Sequence, residues 1–216
     1  MKKASIFILI IMLVVSIFVA VAEVDIPSDL TIVIDAGHGG MDGGASIGDI
    51  KESDLTLSIS KKIKEVFEKE SIKVIMTRET EEDLSNEEFV KREDMLKRVH
   101  IINSSKASLA LSIHLNKFSM ERYRGAQVFY SQTNTLNPFL AETMQRSLIH
   151  YLKNTERKIV KRDNIFLLNK VTIPCCIVEC GFMSNREELN LLQTEEYQYK
   201  IAYALLYGVE DFLKLY

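Results

Sequence analysis

The chain has 216 residues, of which 47% are hydrophobic and 26% are charged, so its composition is that of an ordinary globular protein. Its 27 lysine and arginine residues are outnumbered by 30 aspartate and glutamate residues, which gives a formal net charge of −3. That balance argues against a nucleic-acid partner, because nucleic-acid-binding surfaces need a basic excess.

The N-terminal segment differs from the rest of the chain. Lys2 and Lys3 precede an apolar run, residues 4–22, that ends in Ala-Val-Ala. These are the parts of a secretory signal peptide, and the run also approaches the roughly 20 residues of a membrane-spanning helix. We therefore predict that residues 1–22 are a signal peptide or a membrane anchor, both alternatives being open, and that the protein is exported. Contact with the membrane is expected through this segment alone.

Residues 23–216 then form the functional domain, with 25 basic and 30 acidic residues and a formal charge of −5. Strand-like and helix-like segments alternate along its first half. Buried strands are predicted at 30–36 (LTIVIDA), 72–77 (IKVIMT) and 108–114 (SLALSIH). Between them, apolar residues spaced three and four apart predict helices over 54–70 and 87–105.

The second half of the domain continues this alternation. Strands are predicted at 125–131 (GAQVFYS), 164–168 (NIFLL) and 175–179 (CCIVE). Three helices are also predicted: one at 138–153, a short one opened by an S-x-x-E capping box of Ser184 and Glu187, and a last one opened by Thr194. Several strands are apolar on both faces, as in parallel sheets that helices cover on both sides. The pattern predicts an α/β fold, a single three-layer domain with a mostly parallel central sheet flanked by helices.

Polar side chains that can bind a metal follow three of the predicted strands. His38 follows the first strand, His114 ends the third, and Glu179 ends the strand at 175–179. Glu52 ends the glycine-rich loop that carries His38. Because sites in open α/β sheets form at the carboxyl ends of strands, we expect these four groups to converge.

The two histidines and two glutamates suit one kind of chemistry. Two imidazoles and one carboxylate are a common shell for a catalytic zinc ion, whose fourth position is left to water. Zinc lowers the pKa of that water to about 7, and a second carboxylate outside the shell can pass its proton to a leaving amine. Hydrolysis of an amide bond is therefore predicted.

Five segments of the chain resemble the landmark segments of zinc-dependent N-acetylmuramoyl-L-alanine amidases. They are IDAGHGGMDGGA, KESDLTLSIS, SLALSIHLN, GAQVFYS and IVECGFMSNREELNLL, and they occur in the same order as in that family. The resemblance covers nearly all of residues 30–215. It implies an α/β fold, one Zn²⁺ per chain and cleavage of the amide between N-acetylmuramic acid and L-alanine of peptidoglycan.

The resemblance also implies roles for individual residues. The zinc ligands are expected to be His38, Glu52 and His114. Glu179 is expected to be the catalytic carboxylate, and Asn116 to line the substrate cleft. Arg98 matches a recurrent arginine upstream of the third ligand, for which a structural role is expected.

An N-terminal signal or anchor followed by a bare catalytic domain is similar to the germination-specific amidases of spore-forming bacteria. Those enzymes act in cortex maturation, in which muramic acid stripped of its peptide becomes muramic δ-lactam. The subtype implies peptidoglycan as the substrate and an exported, wall-facing location. The sequence leaves open the oligomeric state and a requirement for an activating protein partner.

Two other functions remain open at this point. A zinc peptidase acting within the stem peptide would use the same ligand set and differ in the bond that it cleaves. A catalytically silent wall-binding regulator is the alternative from another class. The second carboxylate argues against the regulator, since a binding module does not need one.

Overall fold

The computed structural model describes residues 29–85 and 88–215, which form an α/β fold around one main sheet. The predicted signal peptide or anchor, residues 1–22, lies outside these residues. Within the described part of the chain, no helix is both long and apolar enough to cross a membrane.

A six-stranded sheet runs through the middle of the fold. Its strands are β1 Thr31–Ala36, β4 Lys73–Met76, β5 Leu109–Asn116, β6 Gln127–Tyr130, β7 Val160–Lys161 and β8 Cys175–Phe182. A separate hairpin pairs β2 Ser46–Ile47 with β3 Ile50–Lys51. The strand order is β4-β1-β5-β8-β6-β7, and every neighbouring pair is parallel except β6 and β8. The mostly parallel sheet is confirmed, and the carboxyl ends of β1, β5 and β8 lie at one edge.

Helices cover both faces of this sheet. In the described residues they are α1 Glu52–Lys69, α2 Lys91–Ser104, α3 Asn137–Leu152, α4 Phe166–Lys170, α5 Arg186–Leu192 and α6 Glu195–Leu213. Ile32 and Ile34 of β1 belong to a buried cluster that includes residues of α1, α3 and α6. Val33 belongs to a second cluster, with residues of α2 and α4. Strand β1 is therefore buried on both faces, which confirms the predicted arrangement of helices on either side of a sheet.

Two local predictions are wrong. The run at 164–168 was expected to be a strand, but α4 begins within it, at Phe166, and the neighbouring side chains of Leu167 and Leu168 are both buried. A short apolar run has no periodicity that separates a strand from a helix. The helix expected over 87–105 begins only at Lys91, and Val90 before it is 48% exposed.

Candidate active site

Three side chains from separate elements converge at the carboxyl edge of the sheet. His38 lies in the loop after β1, Glu52 is the first residue of α1, and His114 lies near the end of β5. Oε1 of Glu52 lies 3.1 Å from Nε2 of His38 and 3.1 Å from Nδ1 of His114. One nitrogen or oxygen atom from each residue lies within 4.8 Å of the others, a spacing in which they could hold a metal ion. The structure thus brings together the three residues that the sequence singles out as ligands.

Backbone groups from two other segments hold the Glu52 side chain. The N–H of Ala45 donates to Oε2 at 2.8 Å, and the N–H of Leu115 donates to Oε1 at 3.0 Å. Burial raises the pKa of Glu52, but the hydrogen bonds and charges of His114 and His38 outweigh it and lower the pKa overall. The carboxylate is therefore held in its charged form between the two imidazoles.

Two glycines leave room for these side chains. A Cβ atom on Gly37 would lie 2.5 Å from the imidazole of His114. A Cβ atom on Gly44 would lie 2.7 Å from both the His38 ring and Oε2 of Glu52, and Gly44 also has a φ of +66°. A side chain at either position would displace a candidate ligand, which explains why the segment around His38 is rich in glycine.

A buried ion-pair network fixes the backbone that carries His38. Arg98 is only 2% exposed and pairs with Asp35 at 2.8 Å and with Asp94 at 2.7 Å. The same guanidinium donates to the carbonyls of Ala36 and His38, both at 2.6 Å. His38 has a φ of 61°, in the left-handed region that residues other than glycine seldom adopt. Arg98 thus has the structural role that the family resemblance implies.

A second buried arginine, Arg78, supports the same loop and was missed by the sequence analysis. Its Nε donates to the carbonyl of Ala36 at 3.0 Å, and its Nη2 donates to the carbonyls of Gly37 and Ser53, both at 2.9 Å. Burial and the positive charge of Arg98 lower the pKa of Arg78 to about 10, so it stays charged at neutral pH. The two arginines together provide the side-chain donors for the carbonyls of Ala36 and His38, and Arg78 shares the carbonyls of Gly37 and Ser53 with the hydroxyl of Thr56.

Glu179 lies on β8, paired in register with His114 of β5. Its Oε2 atom is buried and has no hydrogen-bond partner among the described residues. Burial raises the pKa of Glu179 from 4.5 to about 7; the negative charge of Glu52 adds to the rise, whereas the imidazoles of His114 and His38 oppose it. A carboxyl group with a pKa near neutrality can both accept and donate a proton at neutral pH.

These groups open into a cavity of about 370 Å³. His38, Glu52, His114 and Glu179 all line it, and Asn116 lines it at the end of β5. Pockets that hold small molecules or part of a polymer are typically roughly 300–1,000 Å³, so this cavity is large enough for the reacting part of a substrate. All five predicted site residues therefore lie around one space.

Comparison with known proteins identifies the family. A family model described as N-acetylmuramoyl-L-alanine amidase matches residues 32–211. The chain belongs to this family. It is 39% identical over 183 residues to the germination-specific N-acetylmuramoyl-L-alanine amidase of Bacillus subtilis, a match that covers 82% of this chain and 77% of that protein. The family resemblance stated from the sequence is confirmed, and with it the prediction that the protein is an amidase.

Two solved amidase structures have the same fold as this chain. One is the CwlD amidase from Clostridioides difficile in complex with the GerS lipoprotein, with a TM-score of 0.82, 38% identity, and coverage of 87% of this chain and 100% of that one. The other is the N-acetylmuramoyl-L-alanine amidase from Clostridium difficile 630, with a TM-score of 0.78, 29% identity, and coverage of 87% and 98%. The amidase fold therefore extends over the whole described domain.

The amidase site includes a carboxylate that the sequence analysis did not single out. Oδ2 of Asp42 lies 3.0 Å from Nδ1 of His38, whereas Nε2 of the same ring faces Glu52. Asp42 is itself held by Lys91 at 3.2 Å and by the N–H of Gly44 at 3.2 Å. A carboxylate beside Nδ1 favours a proton there and leaves the Nε2 lone pair facing Glu52. Its place four residues after His38, in the same loop, is the signal that could have revealed it.

A further carboxylate of the amidase, Glu188, ties β8 to the loop before β6. The predicted capping box is wrong, because α5 is capped by Asn185 rather than Ser184, and the Asn185 side chain accepts the N–H of Glu188 at 2.9 Å. The Glu188 side chain then turns inward and accepts the N–H groups of Phe182 and Gly125, both at 2.8 Å. This acid therefore supports the loops beside the cavity and has no capping role.

Replacing Glu188 by alanine is expected to destabilise the domain by about 2–4 kcal/mol, because two buried N–H groups lose their acceptor. Urea denaturation of the purified protein at pH 7 measures the change. The neighbouring Glu187, with a side chain that is 82% exposed, provides the matched control, and Glu187→Ala should leave the midpoint unchanged. A Glu188→Ala variant as stable as the wild type would contradict this role.

Proposed function

We propose that this protein hydrolyses the amide between N-acetylmuramic acid and L-alanine in peptidoglycan, with one Zn²⁺ ion held by His38, Glu52 and His114. The observation that carries the proposal is the convergence of these three groups beside Glu179, a buried carboxyl whose Oε2 lacks a partner among the described residues. Membership of the amidase family supports the proposed reaction, and the nitrogen and oxygen atoms of His38, Glu52 and His114 support the assignment of zinc.

The residues present fit a zinc ion. Two imidazole nitrogens and one carboxylate oxygen are the donor set of many catalytic zinc sites. Bonds of about 2.0–2.1 Å in a tetrahedral arrangement place ligand atoms about 3.3 Å apart, close to the two 3.1 Å separations around Oε1 of Glu52. When bound, zinc supplies a Lewis acid that polarises the carbonyl and acidifies the attacking water.

Glu179 is proposed to move the proton of this reaction. As a carboxylate it takes a proton from the water whose oxygen attacks the lactyl carbonyl carbon. As a carboxylic acid it returns that proton to the nitrogen of L-alanine as the carbon–nitrogen bond breaks, so the products are a free carboxylate and a free amine. In the metal-free protein, burial raises the pKa of this carboxyl toward the range in which one group can both accept and donate a proton at neutral pH. Asn116, at the cavity wall, is proposed to contact the substrate beside the reacting bond.

The proposed setting is the wall-facing side of the membrane in a spore-forming bacterium. It rests on the germination-specific relative and on the sequence of residues 1–22, proposed to be a signal peptide or an anchor before a catalytic domain at 23–216. Formation of muramic δ-lactam in the spore cortex is the proposed purpose. A protein partner is also proposed, because a relative of known structure was solved in complex with a lipoprotein.

Metal analysis of purified variants tests the ligand set. The wild type should hold one zinc per chain after reconstitution, and both His38→Ala and His114→Ala should lose the metal and the amidase activity, since each removes one of three donors. His100→Ala is the matched control, because His100 is exposed on α2 and should be dispensable. Zinc retained at full stoichiometry by His38→Ala would show that the ligands are assigned wrongly.

A further inference from the structure

Arg157 holds a fixed guanidinium close to the carboxyl edge of the sheet. Its Nε donates to the carbonyl of Arg124 at 2.8 Å, and its Nη1 donates to Oε1 of Gln127 at 3.4 Å. The guanidinium carbon lies 4.6 Å from the centre of the Phe182 ring, over which it stacks. Three separate elements thus position a side chain that is only partly buried.

This guanidinium has no carboxylate within 4 Å among the residues that the structure describes. The acid whose titration Arg157 influences is Glu188, but both Glu188 oxygens already accept buried backbone N–H groups, from Phe182 and Gly125. The nearby Arg124, by contrast, is paired with Glu187 at 3.5 Å. The outer N–H groups of Arg157 are therefore available to an anion, in the planar fork that suits a carboxylate.

The sheet register places Arg157 on a line with the catalytic groups. His114 of β5 is paired with Glu179 of β8, and Glu179 is in turn paired with Gln127 of β6. Paired residues of neighbouring strands point to the same face, about 5 Å apart. Gln127 is fixed by its own bond to the carbonyl of Lys158 at 2.9 Å and presents its oxygen to Arg157. Across this edge of the sheet, the residues therefore follow one another in the order His114, Glu179, Gln127 and Arg157.

We infer that Arg157, positioned by Gln127 and Phe182, binds a carboxylate of the stem peptide on the leaving-group side of the scissile amide. The inference rests on the proposed function and adds a specificity site to it. Glu179 must reach the nitrogen of L-alanine, so the peptide part of the substrate lies beyond Glu179, on the side away from the candidate metal ligands. That is the side on which Gln127 and Arg157 lie.

The spacing fits the residue that follows L-alanine. Each residue of an extended chain spans about 3.5 Å, so the α-carboxylate of the second stem residue lies about 6–7 Å from the scissile nitrogen. Glu179 and Gln127 are one strand spacing of about 5 Å apart, and the Gln127 side chain contacts the guanidinium of Arg157. The distance from Glu179 to this guanidinium is therefore similar. A free carboxylate there would be recognised, whereas its amide would lose the charge-assisted contact.

The test compares two N-acetylmuramoyl-L-alanyl-D-glutamyl peptides, one with the glutamyl α-carboxylate free and one with it amidated. Wild-type kcat/KM should favour the free acid about 10–100-fold, the usual range for a charge-assisted pair. Arg157→Gln should lose that preference mainly through the free acid, with a smaller loss of kcat/KM on the amide and with zinc content unchanged. Arg162→Gln is the matched control, because Arg162 also stacks on an aromatic ring, that of Phe129, at 5.1 Å but is exposed beyond β7.

The inference would be overturned if Arg157→Gln lowered kcat/KM equally on both substrates, or if the wild type had the same kcat/KM on the free acid and on the amide. Calorimetric binding of the two free peptides, L-alanyl-D-glutamate and its amide, separates this outcome from failure of the proposed function. If the wild type hydrolyses neither substrate, yet binds the free acid more tightly through Arg157, the carboxylate site stands and the proposed reaction fails. If Arg157→Gln binds both peptides like the wild type, the site does not exist.

Discussion

Glu179→Gln is expected to lower kcat by about 10²–10⁴-fold, the range contributed by general acid–base catalysis, while zinc remains bound. The amide keeps the size of the carboxyl group but cannot take the proton of the attacking water. Steady-state hydrolysis and metal analysis on the same preparation measure the two effects. Wild-type turnover in this variant would contradict the role assigned to Glu179.

The same substitution should stabilise the metal-free domain at high pH. The folded-state pKa of Glu179 is about 7, above the ordinary value of 4.5. The protonated form therefore stabilises the fold fully below pH 4.5, and this contribution is lost as the pH rises through 7. The difference between 4.5 and about 7 corresponds to about 3 kcal/mol, since each pKa unit is worth about 1.4 kcal/mol.

Urea denaturation in the presence of a chelator, at pH 5 and pH 8, reveals this effect. The free energy of unfolding of Glu179→Gln should exceed that of the wild type by less than about 1 kcal/mol at pH 5 and by up to about 3 kcal/mol at pH 8. Glu142→Gln, a change on the exposed face of α3, is the control and should show no such divergence. Parallel pH curves for wild type and Glu179→Gln would show that the carboxyl group titrates normally.

Arg98→Met is expected to destabilise the domain by about 3–5 kcal/mol, because it leaves buried charge unpaired. Burial raises the pKa of Asp35, but the charge of Arg98 and the hydrogen bonds of Ser112 and Thr77 lower it overall. Without Arg98 the Asp35 carboxylate faces only those hydroxyls, and the carbonyls of Ala36 and His38 lose a donor. The zinc affinity should fall as well, since His38 loses its support.

Urea denaturation at pH 7 and zinc titration measure the Arg98 effects. Arg146→Met removes a comparable arginine from an exposed pair with Asp211 and should change neither the stability nor the zinc affinity appreciably. The double variant Arg98→Met/Asp35→Leu should recover part of the lost stability, because it removes one of the two buried carboxylates, Asp35 and Asp94, that lose Arg98 as their partner. A loss below about 1 kcal/mol in Arg98→Met would contradict the argument from burial.

The parts of the site that the sequence predicted are those tied to strand ends. His38, His114 and Glu179 follow buried apolar runs, and parallel strands bring their carboxyl ends to one edge, so their convergence follows from the pattern. The alternation of strands and helices gave the layered fold in the same way. The local spacing of apolar residues is enough to predict these strands and helices, so the prediction does not require knowledge of the tertiary contacts.

The parts that the sequence missed depend on contacts between distant residues. Arg78 and Arg157 reach across the fold to backbone carbonyls, and nothing in the neighbouring sequence marks which carbonyls they meet. The sequence fits a helix start equally well with Ser184 and Glu187 or with Asn185 and Glu188 as the capping pair, and the structure has Asn185 as the cap. Asp42 belongs to a loop whose path is set by Gly44 and the buried arginines.

Mass spectrometry of peptidoglycan fragments digested by the purified protein, with zinc chelated and then restored, tests the central claim most directly. The account predicts stem peptides with a newly freed L-alanine amine, which are released with zinc, absent with chelator, and released about 10²–10⁴-fold more slowly by Glu179→Gln with zinc bound. Cleavage between stem-peptide residues would show a peptidase instead. Release of L-alanine amines undiminished by complete zinc removal would contradict the account.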